Sequence, residues 1–182
     1  MTRIPVLDRS EMDADQEATY DKVAQNNARV GFGPAIGYAY SPGVWQTHNQ
    51  SSSHLLDCSL TNSQVRIISL MTVRFWRAAY PWSAQAKTGL KAGLPIDIIE
   101  AINDGRQPDF ENFEDAAVYL ATKELLESGN LSDEGFSAAE KKLGYKRIVE
   151  LVGAIGHFCT TALMANVVGV TPDPRAPSQL KE

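Results

Sequence analysis

The chain has 182 residues, 43% of them hydrophobic and 21% charged, with a formal net charge of −5; this is the make-up of a single globular domain with a sizeable core. The acidic balance and the absence of any basic run exclude nucleic acid as an expected partner. The first sixteen residues, MTRIPVLDRSEMDADQ, lack the apolar core of a signal peptide, so a cytoplasmic protein is expected.

Taken in chain order, the residues read as helices joined by short turns. RIPVLDRSEM is an extended entry around Pro5, and 13–29 reads as a mostly polar surface helix with Ala18 and Val23 inward. The glycine- and aromatic-rich VGFGPAIGYAYSP reads as a loop, with Ser41-Pro42 as cap and first turn of a helix running to about Leu60. Thr61 or Asn62 caps the next helix, which starts near Ser63 and stops before Pro81; Ser83 caps another that runs to Ala92, with Gly93 after its end. Pro95 opens the apolar run IDIIEAI, ended by Asn103-Asp104-Gly105, and Asn112 or Phe113 opens FEDAAVYLATKELLES with a helical stripe at 116, 117, 120, 121 and 125. Ser132 starts a short helix to Leu143, and 145–170 is the last one. No period-2 strand is visible, so the expected class is all-α: one domain over 1–170 and a flexible, proline-rich tail over 171–182.

Leu151 to Val170 is twenty residues without a formal charge, the length of a membrane span. His157, Thr160, Thr161, Asn166 and three glycines, with no flanking aromatic belt, weigh against insertion; a buried central helix or an oligomer contact is the simpler expectation. Cys58 and Cys159 stand about a hundred residues apart with no CxxC spacing, so neither a redox dithiol nor a thiolate metal site is expected. The glycines Gly31, Gly33 and Gly37 are not followed by Lys-Ser/Thr and do not form a phosphate loop.

Helix, Tyr80-x-Trp82, helix and Ala92-Gly-Leu-Pro95 stand in an order that resembles the carboxymuconolactone decarboxylase family of the alkylhydroperoxidase D-like superfamily. Ser41-Pro42 with Val44 and Trp45 looks like that family's helix start, Leu131-Ser132-Asp133 through Phe136 like a second helix, and Ile148 to Asn166 like its C-terminal helix. The match covers most of the stretch from Arg3 to Val170. It implies an alkylhydroperoxidase D-like helical bundle, assembled as a homotrimer or homohexamer. Its peroxidase members carry a Glu, a CxxC pair and a His as a proton relay; in register, those positions here hold Arg66, Ala78, Pro81 and Gln85. Neither alanine nor proline supplies a thiolate, Gln85 does not titrate near neutrality, and Arg66 stays cationic. Dithiol peroxidase activity is therefore excluded on sequence.

Acid–base groups must come from elsewhere. His48, among Gln46, Asn49 and the serines 51–53, is the first candidate base or acid; His54, three residues before Asp57, and Tyr80 follow. His157 reads as a hydrogen-bonded core histidine. At about 100° per residue, Arg66, Ser69 and Arg77 share one helix face, a candidate clamp for a carboxylate or enolate, with surface snorkelling as the plainer alternative. Trp45, Trp82 and Gln85 complete the candidate ligand contacts. His48 and His54 lie about 240° apart round their helix and do not converge on a metal, so neither metal nor cofactor is expected. Three functions remain open: a cofactor-independent lyase, isomerase or hydrolase acting on a small aromatic or carboxylated metabolite; a binding protein that kept the pocket and lost catalysis; and a structural oligomer.

Overall fold

The computed structural model describes residues 2–25 and 30–181. Among them there is no strand, and eight α-helices follow one another: α1 (Ala14–Gln25), α2 (Ala35–Tyr38), α3 (Pro42–Asp57), α4 (Asn62–Phe75), α5 (Ala79–Lys91), α6 (Ile96–Asn103), α7 (Phe113–Ser128) and α8 (Asp133–Val168). The C-terminal end of the first helix, placed by sequence at Arg29, lies outside the described residues.

Helix α4 is the axis. Its start is a capping box: the Thr61 hydroxyl accepts from Gln64 N, and the Gln64 side chain returns to Thr61 N. Gln64 also donates to Asp115 on α7 at 3.0 Å, so the cap ties two helices together. Val65, Ile67, Ile68, Leu70 and Val73 are buried, on more than one side of the helix, because α5, α6, α7 and α8 pack around it. The inner face of α8, with Leu151, Ala154, Phe158 and Ala162, completes this core. That is one reason the segment is uncharged. Helix α8 is long and apolar enough to cross a membrane on composition, yet only its inner face is buried in the chain. Gly144, at φ 72° and ψ 165°, interrupts α8 as the sequence reading expected between Leu143 and Tyr145.

A second, smaller core joins α1, α2 and α3 to the bundle: Val23, Ala35, Tyr38, Ala39 and Trp45, with Tyr20 and Met164 against them. Helix α3 buries only Trp45 and Leu55, which leaves its polar side chains free for other work. One of them, Gln46, donates to Thr19 on α1 at 2.9 Å.

Several boundaries differ from the sequence reading. One turn of helix, α2, sits inside the expected glycine-rich loop. Helix α3 stops at Asp57 instead of Leu60, because Glu150 on α8 accepts from both the backbone and the hydroxyl of Ser59 and holds the chain out of helix. Helix α4 ends at Phe75, well before Pro81; Arg77 takes a left-handed conformation (φ 51°) and turns the chain, while Asn166 donates to the Trp76 carbonyl at 2.9 Å. Helix α5 then opens at Ala79 with Pro81 inside its first turn, where a missing N–H costs nothing, and Ser83 bonds back to the Ala79 carbonyl instead of capping.

The tail expected to be flexible is docked. Buried Ser178 accepts from Trp82 Nε1 at 3.1 Å and from Asn103 Nδ2 at 3.2 Å, and Asn103 also binds Gln179 O and Lys181 N. Lys181 pairs with Glu100 and Asp104, and Leu180 packs on the core. Proline-rich composition hid this because the tail's partners are buried polar groups on α5 and α6 that a sequence does not mark.

Candidate functional site

The seam between the two cores holds a cavity of about 230 Å³. Its walls are aromatic: Phe32, Tyr38, Trp45 and Tyr80, with Pro81 and Val23. Its polar groups are His48 and Asn49 from α3, Gln85 from α5 and Thr161 from α8, and among the described residues no charged side chain lines it. A mostly apolar hollow with a few converging polar groups is the usual form of a small-molecule site.

Each wall has a local cause. Ser41-Pro42 sets the start of α3, so that Trp45 turns into the small core and His48, one turn later, follows it to the cavity. Gly33, at φ 57°, lets the loop backbone lie against the Tyr80 ring; a Cβ there would stand 2.5 Å from Tyr80 Cε1. Gly37 on α2 likewise leaves room for Met164 of α8.

Behind the cavity wall stands Arg66. Its Nη1 donates to Gln85 Oε1 at 2.6 Å, Ser69 Oγ lies 3.1 Å from the same oxygen, and the guanidinium sits 5.8 Å over the Phe158 ring. Among the described residues Arg66 has no carboxylate partner within ion-pair distance, and burial lowers its pKa without discharging it. The Gln85 oxygen must face the arginine, which only donates, so the two Gln85 amide hydrogens remain without an acceptor among the described residues.

Tyr38, His48 and His157 form a stacked column. The His48 ring lies 4.4 Å from Tyr38 and 4.3 Å from His157, the two imidazoles being within 12° of parallel. Burial pushes His48 down to about 4. His157 falls to about 3, through burial first and then the charges of His48 and Arg66. Both imidazoles are therefore neutral near pH 7. His157 Nδ1 and Tyr38 Oη are buried without a hydrogen-bond partner of ordinary geometry, and burial raises the Tyr38 phenol to about 12, with Thr161 partly opposing. On its other side, His48 opens with His157 onto an outer groove between α3 and α8, lined by Gly43, Val44, Thr47, Ser51, Gly156 and Thr160.

The structure thus brings together His48, Tyr80, Gln85 and Trp45, and places Arg66 one hydrogen bond away through Gln85. It separates three other expected residues. His54 is exposed and makes no ion pair with Asp57; at 240° round α3 from His48 it faces elsewhere. Arg77 is exposed at the left-handed corner, because α4 ends before the arginine stripe reaches it. Trp82 is fully buried, its indole N–H held by Ser178, so it is core. Arg74, about 80° round α4 from Arg66, donates to the Asn103 carbonyl at 2.8 Å.

Sequence reasoning missed His157 as the partner of His48, and no signal in the chain marked it. The aromatic density of VGFGPAIGYAYSP was the signal for Tyr38 in the wall. Among the described residues, no group of three or more His, Cys, Asp or Glu is placed to hold a metal ion. The two imidazoles lie in near-parallel stacked planes, so their in-plane lone pairs do not converge on one ion.

No family model matches the chain, and no curated protein does. Among solved structures, the chain is similar to a crystal structure of an alkylhydroperoxidase AhpD core, an uncharacterized peroxidase-related protein from Ralstonia eutropha JMP134, with a TM-score of 0.75 at 13% identity over 95% of this chain and 93% of that one. At that identity the likeness is one of fold: the chain has the all-α alkylhydroperoxidase D-like fold.

Proposed function

We propose that the chain is a cofactor-independent enzyme of the carboxymuconolactone decarboxylase-like group, a lyase, isomerase or hydrolase working by proton transfer on a small aromatic or carboxylated metabolite. The observation that carries this reading is the convergence, on one aromatic-walled cavity, of a neutral imidazole (His48) with an amide donor (Gln85) that hydrogen-bonds Arg66. A neutral imidazole accepts a proton, and the Arg66 charge behind Gln85 favours negative charge growing on a bound substrate. Thiol peroxidase chemistry has no support, since Ala78 and Pro81 hold no sulfur.

Helix α8 supports a homotrimer or homohexamer. Its outer face presents Val149, Val152, Leu163 and Val167, between 43% and 69% exposed, a run of apolar surface that solution monomers seldom carry. A cytoplasmic enzyme fits the acidic composition.

One observation favours the alternative, a non-catalytic binding protein of the same fold: an imidazole held near 4 is a weak base at neutral pH. Incubating the protein in D₂O with small aromatic ketones and aryl acetic acids, and reading deuteration next to the carbonyl by NMR, separates the two. Catalysed exchange that disappears in His48→Gln supports the enzyme; binding without exchange of any substrate leaves the binding protein.

A further inference from the structure

The ligand's chemical class can be read from which donors the cavity leaves unused. Tyr38 gives the cavity only its ring, since its hydroxyl is buried away from the cavity surface beside Thr161. Gln85 presents two amide hydrogens that no described residue uses, because its oxygen is taken by Arg66 and Ser69. The Arg66 charge pulls electron density along the amide and makes those hydrogens stronger donors. These uncharged donors face a hollow walled by Phe32, Trp45, Tyr80 and Pro81, with His48, Asn49 and Thr161 as its other uncharged polar groups. A cavity of about 150 Å³ holds benzene, so about 230 Å³ takes one ring with a short substituent.

The geometry points to an uncharged, single-ring aromatic ligand carrying a carbonyl oxygen, which Gln85 Nε2 would hold while the ring lies between the aromatic walls. This deepens the enzyme reading above and rests on the cavity being the ligand site. A carboxylate is the poorer fit. It would surrender its water to a hollow whose lining, among the described residues, has no cation, with Arg66 shielded behind Gln85 and already committed to it. Arg66 is in this scheme a positioning residue: it fixes the Gln85 amide with its N–H₂ inward and polarises it.

The test uses the intact protein with three probes of similar size, acetophenone, ethylbenzene and benzoate, read by calorimetry, together with the infrared carbonyl stretch of ¹³C-labelled bound acetophenone. Acetophenone should bind at least about tenfold tighter than ethylbenzene, since only it satisfies the waiting donors, and its stretch should move to lower frequency on binding. Benzoate should bind more weakly than either. Gln85→Leu removes the donor. Gln85→Glu is isosteric, pairs with Arg66 and so preserves the fold, and removes the donor as well. Both should abolish the ketone preference and the frequency shift while ethylbenzene binding persists. Arg66→Met should shrink the shift with ethylbenzene affinity unchanged, an effect a merely structural role would not produce. Benzoate binding as tightly as acetophenone, or a shift that survives both Gln85 substitutions, overturns the assignment. Binding as described without deuteration of any substrate counts against the catalytic reading alone; deuteration with a preference for acids counts against this ligand class alone. Failure of both acetophenone and ethylbenzene to bind removes the cavity as the ligand site and this inference with it.

Discussion

Acid should destabilise this protein through the histidine stack, and the size of the effect follows from the structure. An unfolded histidine takes a proton as the pH falls through about 6.5, whereas His48 and His157 stay neutral in the fold until about 4 and about 3. The folded values are depressed, so the unfolded state binds more protons throughout that window. Stability is fully present above about pH 6.5 and is lost as the pH falls toward the folded values. Among the described residues, the groups facing the stack are the Tyr38 phenol, the Arg66 cation and the neutral Thr161, with no carboxylate to welcome a new charge. At about pH 4.5 the two differences would together amount to roughly 5 kcal/mol, and since both rings are partly open to solvent about half of that, ~2.5 kcal/mol, is the working figure. For a chain of this length the loss corresponds to a fall of about 5–10 °C in Tm. Other carboxylates titrate in the same range, so the informative quantity is the difference between the native chain and His157→Phe, which keeps a ring in the stack and cannot be protonated. That variant should keep about half of the loss, seen as a gap of about 3–5 °C between the two melting curves at about pH 4.5 that closes at neutral pH. Equal acid sensitivity of the two proteins would refute the stack as the cause.

The remaining expectations concern separate parts of the molecule. Light scattering should show a stable oligomer, and Val152→Lys with Leu163→Lys should break it; a native monomer at micromolar concentration would remove the role given to the outer face of α8. Alkyl hydroperoxide should not be turned over in the presence of thiol reductants; turnover that is lost in Cys58→Ser or Cys159→Ser would reveal a thiol site of another kind. Ser178→Ala should cost about 1–3 kcal/mol by orphaning the Trp82 indole N–H, measurable by urea unfolding, and no change would mean the tail contributes nothing.

Most of the helices are legible along the chain because helix formation is written locally. Thr61 with Gln64, Asn112 and Ser132 each carry a side-chain cap, Gly129 and Gly169 take the left-handed turn that ends a helix, and Gly144 breaks α8 where glycine stands between two apolar runs. The motif order around Tyr80 and Trp82 was enough to reach the fold, which a solved structure shares at only 13% identity. His48, Tyr80, Gln85 and Trp45 were also within reach, as residues on segments whose polar-aromatic mixture serves no plain packing need.

What the sequence did not determine is which side chains meet. His157 stacks on His48 from the far end of the chain, and Ser178 closes over Trp82 across 96 residues, because helices remote in sequence pack side by side. Arg77 shares a helical face with Arg66 only if α4 continues through it, and a left-handed turn forced by the following packing sends it to solvent. Arg66 illustrates the same division. Its charge is evident in any reading of the chain, but that Gln85 stands between it and the cavity, and turns a cation into a neutral donor, is a consequence of how α4 and α5 pack. Periodicity and caps are properties of neighbouring residues; the site is a property of their packing.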